Sequence, residues 1–340
     1  MTALAFAGAG FASAVHALAA DAVDRVTVVH VASRRPRSAQ RRAAQAGGVA
    51  CDYDDLPGGA DAVVVATPPA LHWREVERAL DGGAAALVET PLAATLDDAD
   101  RLVGAAASGG RIGYAENLVH SPVVAEAVSG CRRIGELTHL EVRFAQGRPD
   151  WGDHLSPSWG GGALLDLGVH AIAVALLAAA PARVVAVEAE LASGARLDVD
   201  DDATVSLTFD SGLRAEVRAS WRAAAPTWDA QAASATGAVR LVLVPRPSVE
   251  LNGVALGLPA PPPGLASPQL HHLGYVSQMV AFAEAVDAGH AVAPGPAFGR
   301  RVLEIVCAAY RSAATGAPEA LPFSGPRDRT PLQHWRGAAA

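Results

Sequence analysis

"FAGAGFASAVH", residues 6–16, decides the fold. It follows a short apolar strand, Ala3–Ala7, and opens an alanine-rich helix over Phe11–Ala20. Gly8 and Gly10 take the first two glycine positions of a G-x-G-x-x-G turn, and Ser13 stands at the third. The first glycine permits a tight turn. The second lets a pyrophosphate approach the backbone, where the helix N-terminus favours its negative charge. The third position needs only a small residue where helix meets strand, which serine supplies. The stretch predicts a dinucleotide site built by Gly8, Gly10, Phe11 and Ala12.

Outward from that turn, strand and helix patterns alternate. Arg25–Ala32 is β-branched and Ser38–Ala46 helical; Ala62–Ala66 is a buried strand and Trp73–Leu80 a helix. Ala85–Val88 and Arg111–Ala115 are further strands around a helix at Leu96–Ala106. Continuous apolar strands between helices predict a doubly wound parallel sheet covered on both faces.

After residue 120 the pattern changes. "LTHLEVRF" (137–144) alternates polar and apolar residues, as a half-exposed strand does. Strand-like runs follow at Arg183–Leu191, Ala203–Phe209, Arg214–Trp221, Val239–Val244 and Ser248–Leu251, with "FDSGL" (209–213) as a hairpin turn. A glycine-rich turn at 160–162 leads into a helix from Ala163 to Leu177; residues 258–268 read as a loop, and helices follow near 274–288 and 297–314. The expected fold class is α/β. A doubly wound dinucleotide-binding domain, residues 1–118, precedes a second α/β domain, residues 119–340, with a mostly antiparallel sheet.

Composition narrows the function. The 340 residues suffice for two domains, and 51% hydrophobic against 18% charged residues supports a sizeable core. A net charge of −8 argues against a nucleic-acid partner, which needs a basic surface. Cys51, Cys131 and Cys307 form no C-x-x-C pair, so neither a disulfide framework nor a zinc site is expected. The N-terminus lacks the basic region of a signal peptide, and the apolar run Ala171–Ala180 is too short to span a bilayer. A cytoplasmic protein without a membrane partner is expected. "VDDDA" (199–203) reads as the start of a strand, and no metal site is expected.

The end of the second strand bears on the cofactor. An NAD-preferring fold usually carries Asp or Glu there for the ribose hydroxyls. This chain has Ser33-Arg34-Arg35, and guanidinium groups suit a 2′-phosphate. NADP is the preferred cofactor on this reading, with NAD possible; a solvated basic helix start is the competing explanation of the same arginines.

Three more segments complete a pattern. "VVVATPPALHWREVERAL" (63–80) has a Thr-Pro turn and a His; "ALVETPLA" (86–93) is an E-x-P segment; "GGGALLDLGVHAI" (160–172) is G-G-G-x-L-x-D-x-G-x-H. With the glycine turn, which also has His16, they resemble the Gfo/Idh/MocA oxidoreductases. The likeness extends to "AAYRSAATG" (308–316).

The resemblance implies a Rossmann domain, a second domain with a large open sheet, and a cofactor between them whose nicotinamide faces the D-x-G-x-H helix. It implies sugars, nucleotide sugars, cyclitols or similar polyols as small-molecule substrates, and a homo-oligomer, dimer or tetramer, formed through the open sheet. Thr67, Pro68, His72, Glu89 and Asn117 become cofactor-site residues. Asp166 and His170 lie four apart on the expected helix and share a face. Histidine side chains titrate near neutral pH, so His170 suits proton transfer to or from a carbinol oxygen, with Asp166 orienting it or binding a hydroxyl. Arg148, Trp151, His154 and Trp159 precede the glycine turn and suit sugar hydroxyls and ring faces.

Thr90 departs from the pattern. The family has a lysine here, which hydrogen-bonds the reacting oxygen and stabilises its developing charge, a contribution of roughly 2.7–4 kcal/mol by analogy with one oxyanion donor. Threonine offers a neutral donor. Three readings are open: His170 works alone as acid and base; a basic residue such as Arg148 or His154 replaces the lysine; or the protein is a redox-inactive cofactor and ligand sensor. Cofactor-assisted glycoside cleavage is a smaller alternative.

Overall fold

The computed structural model describes residues 1–337. In chain order the elements are β1 (Thr2–Ala7), α1 (Phe11–Asp21), β2 (Val26–Ala32), α2 (Pro36–Ala46), β3 (Val49–Cys51), β4 (Ala62–Val65), α3 (His72–Asp81), β5 (Ala85–Val88), α4 (Leu96–Ala107), β6 (Ile112–Tyr114), α5 (Pro122–Ile134), β7 (Leu137–Gly147), α6 (Val169–Ala179), β8 (Val184–Ala192), β9 (Asp202–Phe209), β10 (Arg214–Ser220), β11 (Arg222–Ser234), β12 (Gly237–Val244), β13 (Ser248–Leu251), β14 (Val254–Ala255), α7 (Gln269–His272), α8 (Tyr275–Ala288), α9 (Pro296–Thr315), β15 (Glu319–Ala320) and α10 (Pro331–Arg336).

The first six strands form one parallel sheet in the order β3-β2-β1-β4-β5-β6. This is the doubly wound order expected of a dinucleotide fold. Every residue of β4 and β5 is buried, as strands covered on both faces require. The carboxyl ends of β1, β2, β4 and β5 run directly into the turns that carry Gly8, Ser33, Thr67 and Glu89.

Two compact units divide the chain. The first is Met1–Asn117 together with Pro261–Arg300. The sequence boundary at 118/119 had placed the second segment elsewhere. That segment returns because its apolar face completes the first core: Leu270, Val276, Met279, Phe282 and Val286 are buried with Leu4, Phe6 and Val28. Ion pairs from Arg25 to Glu284 (3.1 Å) and Asp287 (2.9 Å) flank it.

The second unit is Leu118–Ala260 with the chain from Arg301 onward. Its nine-stranded sheet runs β14-β13-β12-β11-β7-β10-β9-β8-β15. All pairs are antiparallel except β10 with β7. The longest strand, β11, is absent from the sequence expectation. Its alanines and Pro226 give little strand signal; it is strand because β7 and β12 pair with it on both sides, with the proline inside an irregular stretch between Arg222 and Thr227. The expected helix from Ala163 begins as a π-helical turn, Leu164–Gly168, that continues into α6. The helical run Pro157–Ala179 is long and apolar enough to cross a membrane by composition, against the shorter run read from sequence, yet it is mostly buried within the protein.

Near the C-terminus, His334 of α10 sets its imidazole against the Phe323 ring at 5.2 Å. Burial, with Arg329 and Arg311 adding, pushes its pKa down to about 4. The unfolded chain would take a proton near 6.5, so stability is lost as pH falls from there to about 4. The thermal midpoint should drop across that window and His334→Phe should flatten the drop, which calorimetry at stepped pH measures; an unchanged slope would refute the assignment.

Candidate functional site

In the first unit the glycine turn is built by contact with the next strand's turn. Gly8 has φ +116°, and a Cβ there would lie 2.3 Å from the Ala66 carbonyl oxygen, so only glycine fits. Ser13 does more than fit the third glycine position: its buried hydroxyl donates to the Gly8 carbonyl at 2.7 Å and braces the turn. Gly10 is the N-cap of α1, whose first turn carries no acidic side chain. A Cβ on Gly10 would meet nothing within 4 Å. The Thr67 hydroxyl is buried without a partner among the described residues. An open helix N-terminus, a close glycine turn and an unsatisfied hydroxyl fit the pyrophosphate of a dinucleotide.

The arginines after β2 stand beside this turn. Arg34 and Arg35 are exposed, and the Ser33 hydroxyl accepts the Arg35 N–H at 3.3 Å. Among the described residues no carboxylate pairs with Arg34, Arg35, Arg37 or Arg41. Arg42, which the sequence analysis did not single out, reaches from α2 to donate to the Gly10 carbonyl at 3.1 Å. Burial and the neighbouring Arg41 lower its pKa. Its position one helical turn beyond Ser38 was the available signal.

The segment carrying Thr90 is held at both ends by buried histidines. His16 Nε2 lies 2.6 Å from Glu89 Oε1, and Glu89 Oε2 accepts the Thr90 N–H at 2.9 Å. His72 Nδ1 faces the Leu92 carbonyl at 3.1 Å and its Nε2 faces the Thr67 carbonyl at 2.8 Å. Two acceptors would favour a protonated ring, but complete burial is the larger effect and lowers the His72 pKa. The ring is therefore neutral, with one N–H donated and the other nitrogen facing an oxygen. Both nitrogens of His72, expected as a cofactor-site residue, face carbonyls of the protein, and the ring ties the Thr67 turn to the Thr90 segment. Asn117 is similarly committed in part, since its amide donates to the Leu273 carbonyl at 2.8 Å. Pro68 opens the single-turn helix Pro69–Leu71 ahead of His72.

In the second unit the three-glycine turn is organised around a residue the sequence reading left aside. The buried Asp200 carboxylate accepts the Gly162 N–H at 2.9 Å and the Leu164 N–H at 2.8 Å, and takes the Tyr310 hydroxyl. Burial raises its pKa, and those three donors oppose the rise. A Cβ on Gly162 would stand 1.9 Å from the Asp200 carbonyl oxygen, and one on Gly161 2.6 Å from the Tyr310 hydroxyl. The glycines are there because Asp200 and Tyr310 come so close. The "VDDDA" stretch thus caps the helical segment and starts β9. Tyr310 lies in the "AAYRSAATG" stretch, so one aspartate gives two of the noted stretches a shared physical reason.

From that segment Asp166 turns to two partners. Its Oδ2 accepts the Trp221 indole N–H at 3.0 Å, and its Oδ1 stands 3.7 Å from His154 Nδ1. The Asp166 carboxylate thus sits between the Trp221 indole and the His154 ring. The His154 ring lies 4.3 Å from that of Trp159 and 6.4 Å from that of the part-exposed Trp151. The His170 ring stacks on Trp228 at 6.4 Å and 20°, and Trp228 stacks on Phe144 at 4.9 Å. Arg148 is drawn off to Asp201 at 3.4 Å, a carboxylate that Arg222 holds more closely at 2.6 Å. Burial, the largest single influence, would raise the Asp201 pKa; the Arg222 hydrogen bonds and charge, the Gly194 N–H and the Arg148 charge together outweigh it and keep the carboxyl low. Among the described residues no group of three His, Cys, Asp or Glu is placed to hold a metal ion.

Both units match one family. The oxidoreductase family with an NAD-binding Rossmann fold matches residues 3–117, and the GFO/IDH/MocA C-terminal domain matches residues 127–240. The chain belongs to the Gfo/Idh/MocA oxidoreductases. Among curated relatives, a dTDP-3,4-didehydro-2,6-dideoxy-alpha-D-glucose 3-reductase of Streptomyces antibioticus is 37% identical over 165 residues, 44% of this chain and 48% of the relative. The same-named enzyme of Saccharopolyspora spinosa is 35% identical over 161 residues, 44% of this chain and 47% of the relative. The chain spans about half the length of the curated relatives it matches. Among solved structures, GenD2 from gentamicin A biosynthesis, in complex with NAD, superposes with a TM-score of 0.83 at 26% identity, over 94% of this chain and 96% of that one. Levoglucosan dehydrogenase with NADH and L-sorbose shares the fold at a TM-score of 0.84 and 20% identity, over 95% and 99%.

Proposed function

We propose that this chain is an NAD(P)-dependent oxidoreductase acting between a carbinol and a carbonyl of a sugar, nucleotide sugar, cyclitol or similar polyol. The observation that carries this is the glycine turn closed on Ala66, with the Thr67 hydroxyl buried and unpartnered beside it. When bound, a nicotinamide dinucleotide would supply or take the hydride. The chain's own contribution is position and proton handling. The α1 N-terminus and Thr67 hold the pyrophosphate, Glu89 fixes the Thr90 backbone, and His170 gives or takes the proton of the reacting oxygen. Asp166 holds His154 and Trp221 in place around it. The dTDP-sugar 3-reductases among the relatives support reduction of a keto sugar as the working direction.

NADP(H) is the preferred cofactor in this reading, because among the described residues no carboxylate pairs with Arg34 or Arg35. Arg34→Ala should weaken NADPH binding about 10-fold or more, in line with loss of a charge-assisted hydrogen bond, and leave NADH binding within about 2-fold. Fluorescence titration of both cofactors measures this; equal losses would rule out a 2′-phosphate contact.

Thr90 favours a second reading, a cofactor-binding sensor without turnover, since a neutral hydroxyl stands where the family has a cation. Loading the protein with NADPH and offering a panel of keto sugars and cyclitols separates the two. Oxidation of NADPH on any of them supports the enzyme; tight cofactor binding with none supports the sensor. The chain is further read as a homo-oligomer formed through the outer face of the nine-stranded sheet, whose β9 residues alternate buried and half-exposed; sedimentation measures its size. Its three free thiols fit a reducing cytoplasm, which cell fractionation checks.

A further inference from the structure

The oxidoreductase reading leaves the substrate open, and the second unit narrows it, so the substrate class assigned to that unit rests on the same reading. Three tryptophans join one constellation of contacts. Trp221 donates to Asp166, Trp159 lies against His154, which neighbours Asp166, and Trp228 stacks on His170. Only the Trp221 indole N–H has an acceptor. Those of Trp159 and Trp228 are closed off from solvent and have no partner among the described residues. An unpaired buried donor is destabilising, and two beside the proposed acid and base call for an explanation.

Indole N–H groups donate and never accept, so their partner must be an oxygen with a lone pair: a carbonyl, an ether or a hydroxyl. The flat indole faces next to them suit the C–H face of a saturated ring. Charge is selected too. Asp166 is a carboxylate, while Arg148 and Arg222 are both committed to Asp201. A second negative charge on the reacting ring would meet the Asp166 carboxylate, with both of those arginines already held by Asp201.

We infer that Trp159 and Trp228 are specificity-determining residues, whose indole N–H groups donate to oxygens of an uncharged keto- or hydroxy-substituted sugar ring, Trp228 to the oxygen beside His170. Sugars with a carboxylate on the reacting ring are excluded.

Trp228→Phe tests this because it removes the N–H and keeps a ring to stack on Phe144 and His170. The variant should keep its thermal midpoint and NADPH affinity and raise KM for a neutral keto sugar about 3- to 10-fold, the range for one neutral hydrogen bond. Trp159→Phe should behave alike, and a uronate should be turned over at least about 10-fold less efficiently than its neutral parent. Indole resonances of 15N-tryptophan-labelled protein give a readout independent of turnover: the neutral sugar should shift those of Trp159 and Trp228, assigned from the two variants. Unmoved resonances, or an unchanged kcat/KM in Trp228→Phe, would overturn the inference even if NADPH is oxidised. Resonances that move with no NADPH oxidised would keep the subsite and remove the redox reading.

Discussion

Replacing His170 with alanine should lower kcat by about 10²- to 10⁴-fold, the usual worth of a positioned general acid or base. NADPH should bind as before, because the glycine turn, Thr67 and the arginines after β2 belong to other elements. On the proposed mechanism the loss is large because Thr90 is neutral where the family has a lysine, which leaves the proton transfer to His170. Its ring has a defined seat, stacked on Trp228, which is itself stacked on Phe144. His170→Ala therefore removes chemistry without opening the buried core, and its thermal midpoint should stay close to the parent's. Stopped-flow oxidation of NADPH with a keto sugar measures the effect. A variant that retains the parent turnover would show that the proton comes from elsewhere, with His154 the next candidate.

Gly162→Ala should be the most damaging small substitution in the second unit. Its Cβ would sit 1.9 Å from the Asp200 carbonyl oxygen, a backbone atom that has no rotamer to escape into. Moving that backbone breaks the Asp200 hydrogen bonds to Gly162, Leu164 and Tyr310 together. Such a clash, with a buried carboxylate left short of donors, costs on the order of 4 kcal/mol or more. The thermal midpoint should fall by about 8 °C or more. Gly104→Ala, in the interior of α4 with nothing within 4 Å of the new Cβ, is the matched control. It should be neutral or gain about 0.5–1 kcal/mol. Equal midpoints for the two variants would mean that the glycine turn is not held by Asp200.

The first unit was readable because its signals are local. Continuous apolar strands, a glycine turn and helices of ordinary length each announce themselves within a dozen residues. The second unit depends on distant partners. Strand β11 exists because β7 and β12 flank it, and its own alanines and Pro226 say otherwise. Among site residues, glycines and histidines drew notice by type, but their contacts did not follow from type. His72 reads as a site histidine and proves to be a buried clamp. Asp200 reads as a strand-starting acid and proves to hold the three-glycine turn, through a tyrosine 110 residues away in sequence. Arg42 and Trp228 carry no motif, and only the folded chain brings one to Gly10 and the other to His170.

The split first unit also governs when it can fold. Its core needs Met279, Phe282 and Val286, which the ribosome adds long after β6 is complete. Until α8 emerges, Leu4, Phe6 and Val28 lack part of their covering, and Asn117 lacks the Leu273 carbonyl it donates to. Domains made early on the ribosome usually fold first. Here the nascent N-terminal half must wait, while residues 118–260 are synthesised and free to pair their strands. A fragment released at residue 118 should accordingly be prone to aggregate, and refolding of the intact chain should order the first sheet no earlier than the segment Pro261–Arg300 docks against it.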